Sequence, residues 1–132
     1  MSGGACLSSG IADLTVLLAE DEDAIRWLAS RALTRAGFHV IEAADGEEAF
    51  RLAQEHEFAV LVTDIIMPKL SGVELAERLK ALRPELKVLF ISGYVEAHLV
   101  SSAMPDAKLL HKPFGVNALV SRVQEMFATP SR

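Results

Sequence analysis

Short apolar runs alternate along the chain with segments whose apolar positions recur at helical spacing. Several of the runs are apolar throughout, which is typical of parallel strands covered on both faces of a sheet. The pattern therefore predicts a buried parallel sheet. The five predicted strands are Val16 to Ala19, His39 to Ala43, Phe58 to Thr63, Lys87 to Ser92 and Ala107 to His111.

The segments between and after these runs predict five amphipathic helices. Asp23 is expected to cap the first of them. Leu28 in the first helix and Leu82 in the third are expected to face the core. The predicted helices are Ala24 to Ala36, Gly46 to Glu55, one that opens at Ser71-Gly72, Val95 to Ser102, and Val116 to Phe127.

Strict alternation of strand and helix implies right-handed crossovers between parallel strands. The predicted fold is a doubly wound α/β domain with a five-stranded parallel sheet. If the strand order is 2-1-3-4-5, as in flavodoxin-like sheets, it reverses between the first and third strands, which are the two that end in carboxylates. This domain is expected to occupy residues 14–129, followed by a tail at 130–132. Residues 1–13 are small and polar without periodicity, so we interpret them as a disordered leader or an expression remnant.

Polar side chains follow the predicted strands at the points where the strands end. Glu20 and Asp21 follow the first strand, Asp64 follows the third, Ser92 ends the fourth and Lys112 follows the fifth. Ligands of open parallel sheets bind outside the carboxyl ends of the strands, where the strand order reverses. We therefore expect these side chains to meet in one pocket.

The chemistry of this group of side chains indicates phosphoryl transfer. Three carboxylates at one edge would raise each other's pKa values, and a divalent cation would relieve the repulsion. Oxygen-only ligands favour Mg²⁺ or Mn²⁺. Lys112 and Ser92 could then hold phosphoryl oxygens while Asp64 acts as the acceptor. The alternative for the acids after the first strand, taken alone, is that they suit a helix N-terminus.

Four motifs follow one another along the chain: Val-Leu-Leu-Ala-Glu-Asp, Val-Thr-Asp-Ile-Ile-Met-Pro, Phe-Ile-Ser-Gly and His-Lys-Pro-Phe. With these motifs the sequence resembles response-regulator receiver domains of two-component signalling, over about Thr15 to Phe127. The run Leu-Phe-Ile-Ser-Gly-Tyr together with Leu-Leu-His-Lys-Pro-Phe is most similar to receivers of hybrid histidine kinases.

This resemblance implies a flavodoxin-like sheet in the order 2-1-3-4-5. It also implies that Asp64 is the phosphorylation site. It implies that Mg²⁺ (or Mn²⁺) is held by Asp21, Asp64 and the backbone carbonyl of Ile66, with Glu20 acting largely through water. The family's phosphodonor is a phosphohistidine on a sensor histidine kinase or a histidine phosphotransfer protein.

The resemblance also assigns roles at the ends of the last two strands. Ser92 corresponds to the family's switch hydroxyl and Lys112 to its phosphoryl-binding lysine, and the Lys112–Pro113 bond is expected to be cis. Leu109 stands where many receivers carry Tyr or Phe, so an aromatic relay is not expected. Trp27 in the first helix is expected either to pack partly against a neighbouring helix or to contact the phosphodonor, and Leu109 is a second candidate for partner contact.

Composition and charge limit the classes of partner that this protein could bind. The formal net charge of -5 argues against direct nucleic-acid or anionic-membrane binding, and no apolar stretch approaches the roughly 20 residues of a membrane helix. The single cysteine, Cys6, excludes an internal disulfide and suits a reducing compartment. We expect a cytoplasmic protein, either a monomer or a phosphorylation-linked dimer, that acts on a downstream protein target.

Four classes of function are compatible with such a fold. A phosphatase would want a second acid two residues after Asp64, where Ile66 stands, and an FMN-binding module would not place Glu20 and Asp21 in its phosphate loop. A receiver-fold interaction module that acts without phosphorylation remains the alternative. The complete set of acids, hydroxyl and lysine favours a phosphoacceptor that is not an enzyme and assists only its own phosphorylation and dephosphorylation.

Overall fold

Five parallel strands form one sheet in the computed structural model, which describes residues 14–92 and 108–128. The strand order is β2-β1-β3-β4-β5, and every neighbouring pair is parallel. The predicted sheet and its order are confirmed. The strands are β1 (Thr15–Ala19), β2 (His39–Ala43), β3 (Val60–Asp64), β4 (Lys87–Ser92) and β5 (Lys108–His111).

Four helices lie in the described part of the chain, against the five that the sequence predicts. The predicted helix from Val95 to Ser102 falls outside the described residues, as do the predicted leader and tail. No helix within 14–92 or 108–128 is long and apolar enough to cross a bilayer. The helices are α1 (Asp23–Arg35), α2 (Gly46–Glu55), α3 (Gly72–Leu82) and α4 (Val116–Ala128).

The sheet separates two hydrophobic clusters. Alternate residues of β1 enter different clusters because side chains of a strand point to opposite faces: Leu17 packs in one and Leu18 in the other. The first cluster takes its helical residues from α2 and α3, and the second takes them from α1 and α4. Both faces of the sheet are therefore covered, which explains why its central strands are apolar throughout.

Two predicted core positions are wrong. Leu28 is 44% exposed because α1 turns Ala29 and Leu33 inward instead. Leu82 is 61% exposed because it is the last residue of α3, beyond the buried pair of Leu75 and Leu79.

The predicted cap of α1 is also wrong. Glu22, not Asp23, is the N-cap residue, and its side chain makes no capping hydrogen bond. The Asp23 carboxylate instead accepts a hydrogen bond from Arg26 Nη2 at 2.6 Å. At the start of α3 the predicted capping box between Ser71 and Glu74 is confirmed.

Candidate phosphoryl-transfer and metal site

The acidic residues meet where β1 and β3 end side by side. Ala19 pairs with Thr63 in the sheet, so the next residues, Glu20 just after β1 and Asp64 at the end of β3, lie at the same level. One carboxylate oxygen from each of Glu20, Asp21 and Asp64 lies within 4.8 Å of the other two. The structure thus brings together the three acids that the sequence predicts to be neighbours.

Glu20 has the least solvent contact of the three, with no exposed surface. Its Oε2 accepts a hydrogen bond from the backbone N–H of Glu22 at 3.1 Å. Its Oε1 is buried, has no hydrogen-bond partner among the described residues, and lies 3.6 Å from Lys112 Nζ. A buried carboxylate oxygen in this position costs free energy unless a cation or a proton satisfies it.

The pKa of Glu20 is raised from 4.5 to about 7. Burial is the largest cause, and the negative charges of Asp64 and Asp21 add to it, while the Glu22 N–H and Lys112 oppose it. The predicted repulsion between the acids therefore acts on Glu20, but it is secondary to burial.

Lys112 lies just beyond β5 and is fixed at both its backbone and its side chain. Its backbone N–H donates to the carbonyl of Ser92 at 2.8 Å, and its Nζ donates to Asp64 Oδ2 at 2.9 Å. Burial alone would lower the pKa of Lys112, but the hydrogen bond and charge of Asp64, followed by Glu20, raise it. The ammonium group is therefore charged beside Asp64. The predicted cis bond between Lys112 and Pro113 is confirmed.

Ser92, the last residue of β4, is completely buried. Its hydroxyl oxygen has no hydrogen-bond partner within the described ranges. Buried hydroxyls rarely lack a hydrogen-bond partner, because leaving a buried donor or acceptor unpaired costs about 1–3 kcal/mol of stability. Ser92 follows Ile91, which pairs with Asp64, so Ser92 ends β4 at the end of the sheet that carries the acids.

The residues present fit a small divalent cation. Three carboxylates supply only oxygen ligands, which suit Mg²⁺ or Mn²⁺. Within residues 14–92 and 108–128, Lys112 is the one lysine in contact with these acids, which leaves negative charge for a cation to neutralise. The Ile66 side chain is 54% exposed on the loop after β3, and the role of its carbonyl as a ligand stays a prediction.

The two residues proposed for partner contact are placed differently. Trp27 is 60% exposed on α1, with the Arg31 guanidinium 5.3 Å from its ring centroid. Leu109 is half-buried against the core, and its carbonyl accepts a hydrogen bond from Arg122 Nη1 at 3.0 Å. Trp27 therefore offers an apolar surface to solvent, whereas Leu109 is partly used in packing.

Two glycines next to the site have a role that sequence reasoning missed. A Cβ atom on Gly72 would lie 1.9 Å from the carbonyl oxygen of Asp64, and one on Gly46 would lie 2.1 Å from the carbonyl oxygen of Leu70. The Gly72 N–H also donates to the Ile65 carbonyl at 2.7 Å. The sequence signal is Gly72 at the first position of the helix that follows Asp64. By itself, this glycine indicates only the start of a helix.

Comparison with known proteins shows the family of this chain. A sequence model of the response regulator receiver domain matches residues 16–124. The response regulator receiver protein CpdR of Brucella abortus (strain 2308) is 42% identical over 113 residues, which are 84% of this chain and 94% of CpdR. The sensor kinase CckA of the same strain is 41% identical over 116 residues, or 85% of this chain but 12% of the kinase.

A solved structure extends the similarity to the fold. The crystal structure of the receiver domain from the hybrid histidine kinase CckA has a TM-score of 0.74 and 36% identity, covering 86% of this chain and 98% of that domain. The resemblance inferred from the motifs is thereby confirmed, including its likeness to a receiver of the hybrid-kinase type. The chain belongs to the response regulator receiver domain family.

Proposed function

We propose that this receiver takes a phosphoryl group from a phosphohistidine onto Asp64 with Mg²⁺ and signals by altered protein contacts. One observation carries the proposal: Asp64 lies 2.9 Å from the ammonium group of Lys112 and also belongs to the cluster of three acids. A carboxylate beside both a cation-binding cluster and a fixed positive charge is the arrangement that phosphoryl transfer requires.

In the proposed step, a carboxylate oxygen of Asp64 bonds to phosphorus while the phosphorus–nitrogen bond of the donor breaks. The electron pair of that bond stays on the imidazole nitrogen, and the donor, whose other ring nitrogen carries a proton, leaves as neutral histidine. Mg²⁺, when bound, would neutralise charge that develops on the phosphoryl oxygens. Lys112 would donate to one of these oxygens and the Ser92 hydroxyl to another.

Transfer would change the contacts of two strand ends. Lys112 would exchange part of its ion pair with Asp64 for one with the phosphoryl group, and the buried Ser92 hydroxyl would gain the acceptor it lacks among the described residues. We infer that these changes at β4 and β5 alter the surface that a downstream protein recognises.

The donor in this proposal is a sensor histidine kinase or a histidine phosphotransfer protein. One of the relatives is named a sensor kinase, which supports that class of donor. We propose that donor and receiver meet in the cytoplasm, and that the receiver acts as a monomer or a phosphorylation-linked dimer. It would bind neither nucleic acid nor membrane directly, and it would assist only its own phosphorylation and dephosphorylation rather than act as an enzyme on other substrates.

Acetyl phosphate provides a direct test of this proposal. Purified protein incubated with acetyl phosphate and Mg²⁺ should gain the mass of one phosphoryl group, and the modification should disappear with hydroxylamine, which cleaves acyl phosphates. Chelation of Mg²⁺ with EDTA should abolish the gain. Asp64→Asn is the matched control and should gain nothing. An unmodified wild-type protein, or equal labelling of Asp64→Asn, would contradict the proposal.

A further inference from the structure

Arg26 occupies a position that a cation should avoid. It lies in the first turn of α1, where the partial positive charge of the helix macrodipole disfavours a basic residue. Its side chain is nevertheless only 18% exposed. A guanidinium that is both largely buried and at the unfavourable end of a helix must be compensated by specific contacts.

These contacts join three parts of the chain. Nη1 donates to the backbone carbonyl of Glu20 at 2.8 Å, and Nη2 donates to Asp23 Oδ1 at 2.6 Å. Nε lies 3.7 Å from Glu42 Oε1 on β2, and Glu42 Oε2 accepts a hydrogen bond from the Ser30 hydroxyl at 2.8 Å. The guanidinium therefore links the turn after β1, the start of α1 and the edge strand.

The contact with the Glu20 carbonyl bears directly on the acids. The backbone N–H of Glu20 donates to the Ala43 carbonyl at 3.1 Å, so β2 holds the peptide before Glu20 and Arg26 holds the peptide after it. The peptide that Arg26 holds joins Glu20 to Asp21. Its orientation sets the direction in which the Asp21 side chain leaves the backbone, because Asp21 has only two side-chain torsions with which to compensate.

We propose that Arg26 is a positioning residue for the metal site: it fixes the peptide between Glu20 and Asp21 so that the Asp21 carboxylate meets that of Asp64. This inference rests on the proposed function and adds to it a residue outside the acid cluster. Arg26 acts through the backbone and does not itself bind the ion. Lysine cannot reproduce the role, since it lacks the planar fork that reaches the Glu20 carbonyl and Asp23 together.

Arg26→Gln should weaken Mg²⁺ binding about 10- to 100-fold, the usual effect of losing a group that orients a metal ligand. Isothermal titration of the protein with MgCl₂ measures this without any phosphodonor. In the acetyl phosphate reaction the half-saturating Mg²⁺ concentration should rise by the same factor, whereas the rate at saturating Mg²⁺ should stay near that of the wild type. Arg26→Lys should restore little of the affinity.

Arg35→Gln is the matched control, because it removes the same charge from the last turn of the same helix. It should bind Mg²⁺ as the wild type does. Glu42→Gln is a second, milder variant, which weakens the outer contact of Arg26 at a half-exposed position. Glu42→Gln should reduce Mg²⁺ affinity by a smaller factor. It tests the positioning role of Arg26 if Arg26→Gln does not fold.

The outcomes separate this inference from the proposed function. If the wild type binds Mg²⁺ and Arg26→Gln binds it as tightly as Arg35→Gln, the positioning role is wrong and the proposed function stands. The positioning role would also be wrong if Arg26→Gln lowered the phosphorylation rate at saturating Mg²⁺ and left the Mg²⁺ affinity unchanged. If Arg26→Gln does not fold, an unchanged Mg²⁺ affinity in Glu42→Gln would overturn the role. If the wild type neither binds Mg²⁺ nor accepts a phosphoryl group, the proposed function fails first.

Discussion

At the scale of single residues, Glu20 is the carboxylate of residues 14–92 and 108–128 whose environment departs furthest from that of a surface carboxylate. It is completely buried, and its pKa is about 7 in the folded protein against an ordinary value of 4.5. Between these two pH values the folded state keeps a proton that the unfolded state has lost. The stability of the metal-free protein must therefore fall as pH rises through this window, by up to about 1.4 kcal/mol per pH unit.

Glu20→Gln tests this pH dependence. In EDTA at pH 8, the variant should be more stable than the wild type by roughly 2–3 kcal/mol, because the amide removes a buried negative charge. At pH 4 the two proteins should be nearly equal. Urea unfolding at a series of pH values measures the difference.

Mg²⁺ supplies the control for this experiment. Saturating Mg²⁺ should narrow or reverse the advantage of Glu20→Gln, since the ion stabilises only a native state that binds it. An advantage that is the same at pH 4 and pH 8 would show that burial of the charge is not the cause.

At the scale of elements, the loop from β3 to α3 is held by backbone contacts that only glycine permits. Gly72 lets the start of α3 approach the carbonyl of Asp64, and Gly46 lets the start of α2 approach Leu70. In the loop before α3, Lys69 has a positive φ of 73°. Its Nζ lies 3.6 Å from Oδ2 of Asp45, the N-cap residue of α2. The acceptor is therefore positioned by the packing of two helix starts as well as by its own strand.

Gly72→Ala should displace this loop. The added Cβ would fall within 1.9 Å of the Asp64 carbonyl oxygen, so the backbone must move. We expect a loss of more than about 2 kcal/mol in stability and a marked loss of phosphorylation by acetyl phosphate. Thermal unfolding and the labelling assay measure the two effects.

Gly115→Ala is the matched control, since a Cβ at that position meets nothing within 4 Å. It should leave stability and labelling close to those of the wild type. Equal behaviour of the two alanine variants would show that the close approach at Gly72 has no consequence for the site.

At the scale of the whole molecule, the acid cluster lies at one end of the sheet and the helices cover both of its faces. The two hydrophobic clusters are closed by helices on both faces, so the described helices offer few large apolar side chains to a partner. Trp27 on α1 is the bulkiest of these, and tryptophan is enriched at the energetic centres of protein interfaces.

Trp27→Ala should slow phosphoryl transfer from the phosphohistidine donor about tenfold or more at subsaturating receiver, the effect expected from loss of an interface anchor. Labelling by acetyl phosphate should not change, because that small donor needs no docking surface. Rapid-quench measurement of both reactions separates recognition from chemistry. If transfer from the protein donor is unaffected, Trp27 is not part of the docking surface.

Most of the fold, and the proximity of Glu20, Asp21, Asp64 and Lys112, could be predicted from sequence because the signals are local. Apolar runs such as Phe58 to Val62 marked the strands, and Asp64 was conspicuous as a charge directly after one of them. Helical spacing was less informative about which apolar side chains are buried. Leu28 and Leu82 fit the periodicity, but the position of each helix on the sheet leaves both side chains exposed.

The sequence by itself determined the succession of strands and helices along the chain and the chemical groups at the strand ends. Both follow from periodicity and residue type within short segments. Only the tertiary structure decided that Glu20 is buried, that Gly72 touches the Asp64 carbonyl, and that Arg26 holds the turn between the acids. Burial, approach distance and hydrogen-bond partners depend on which distant segments pack against one another. That packing is a property of the whole chain and not of any one segment.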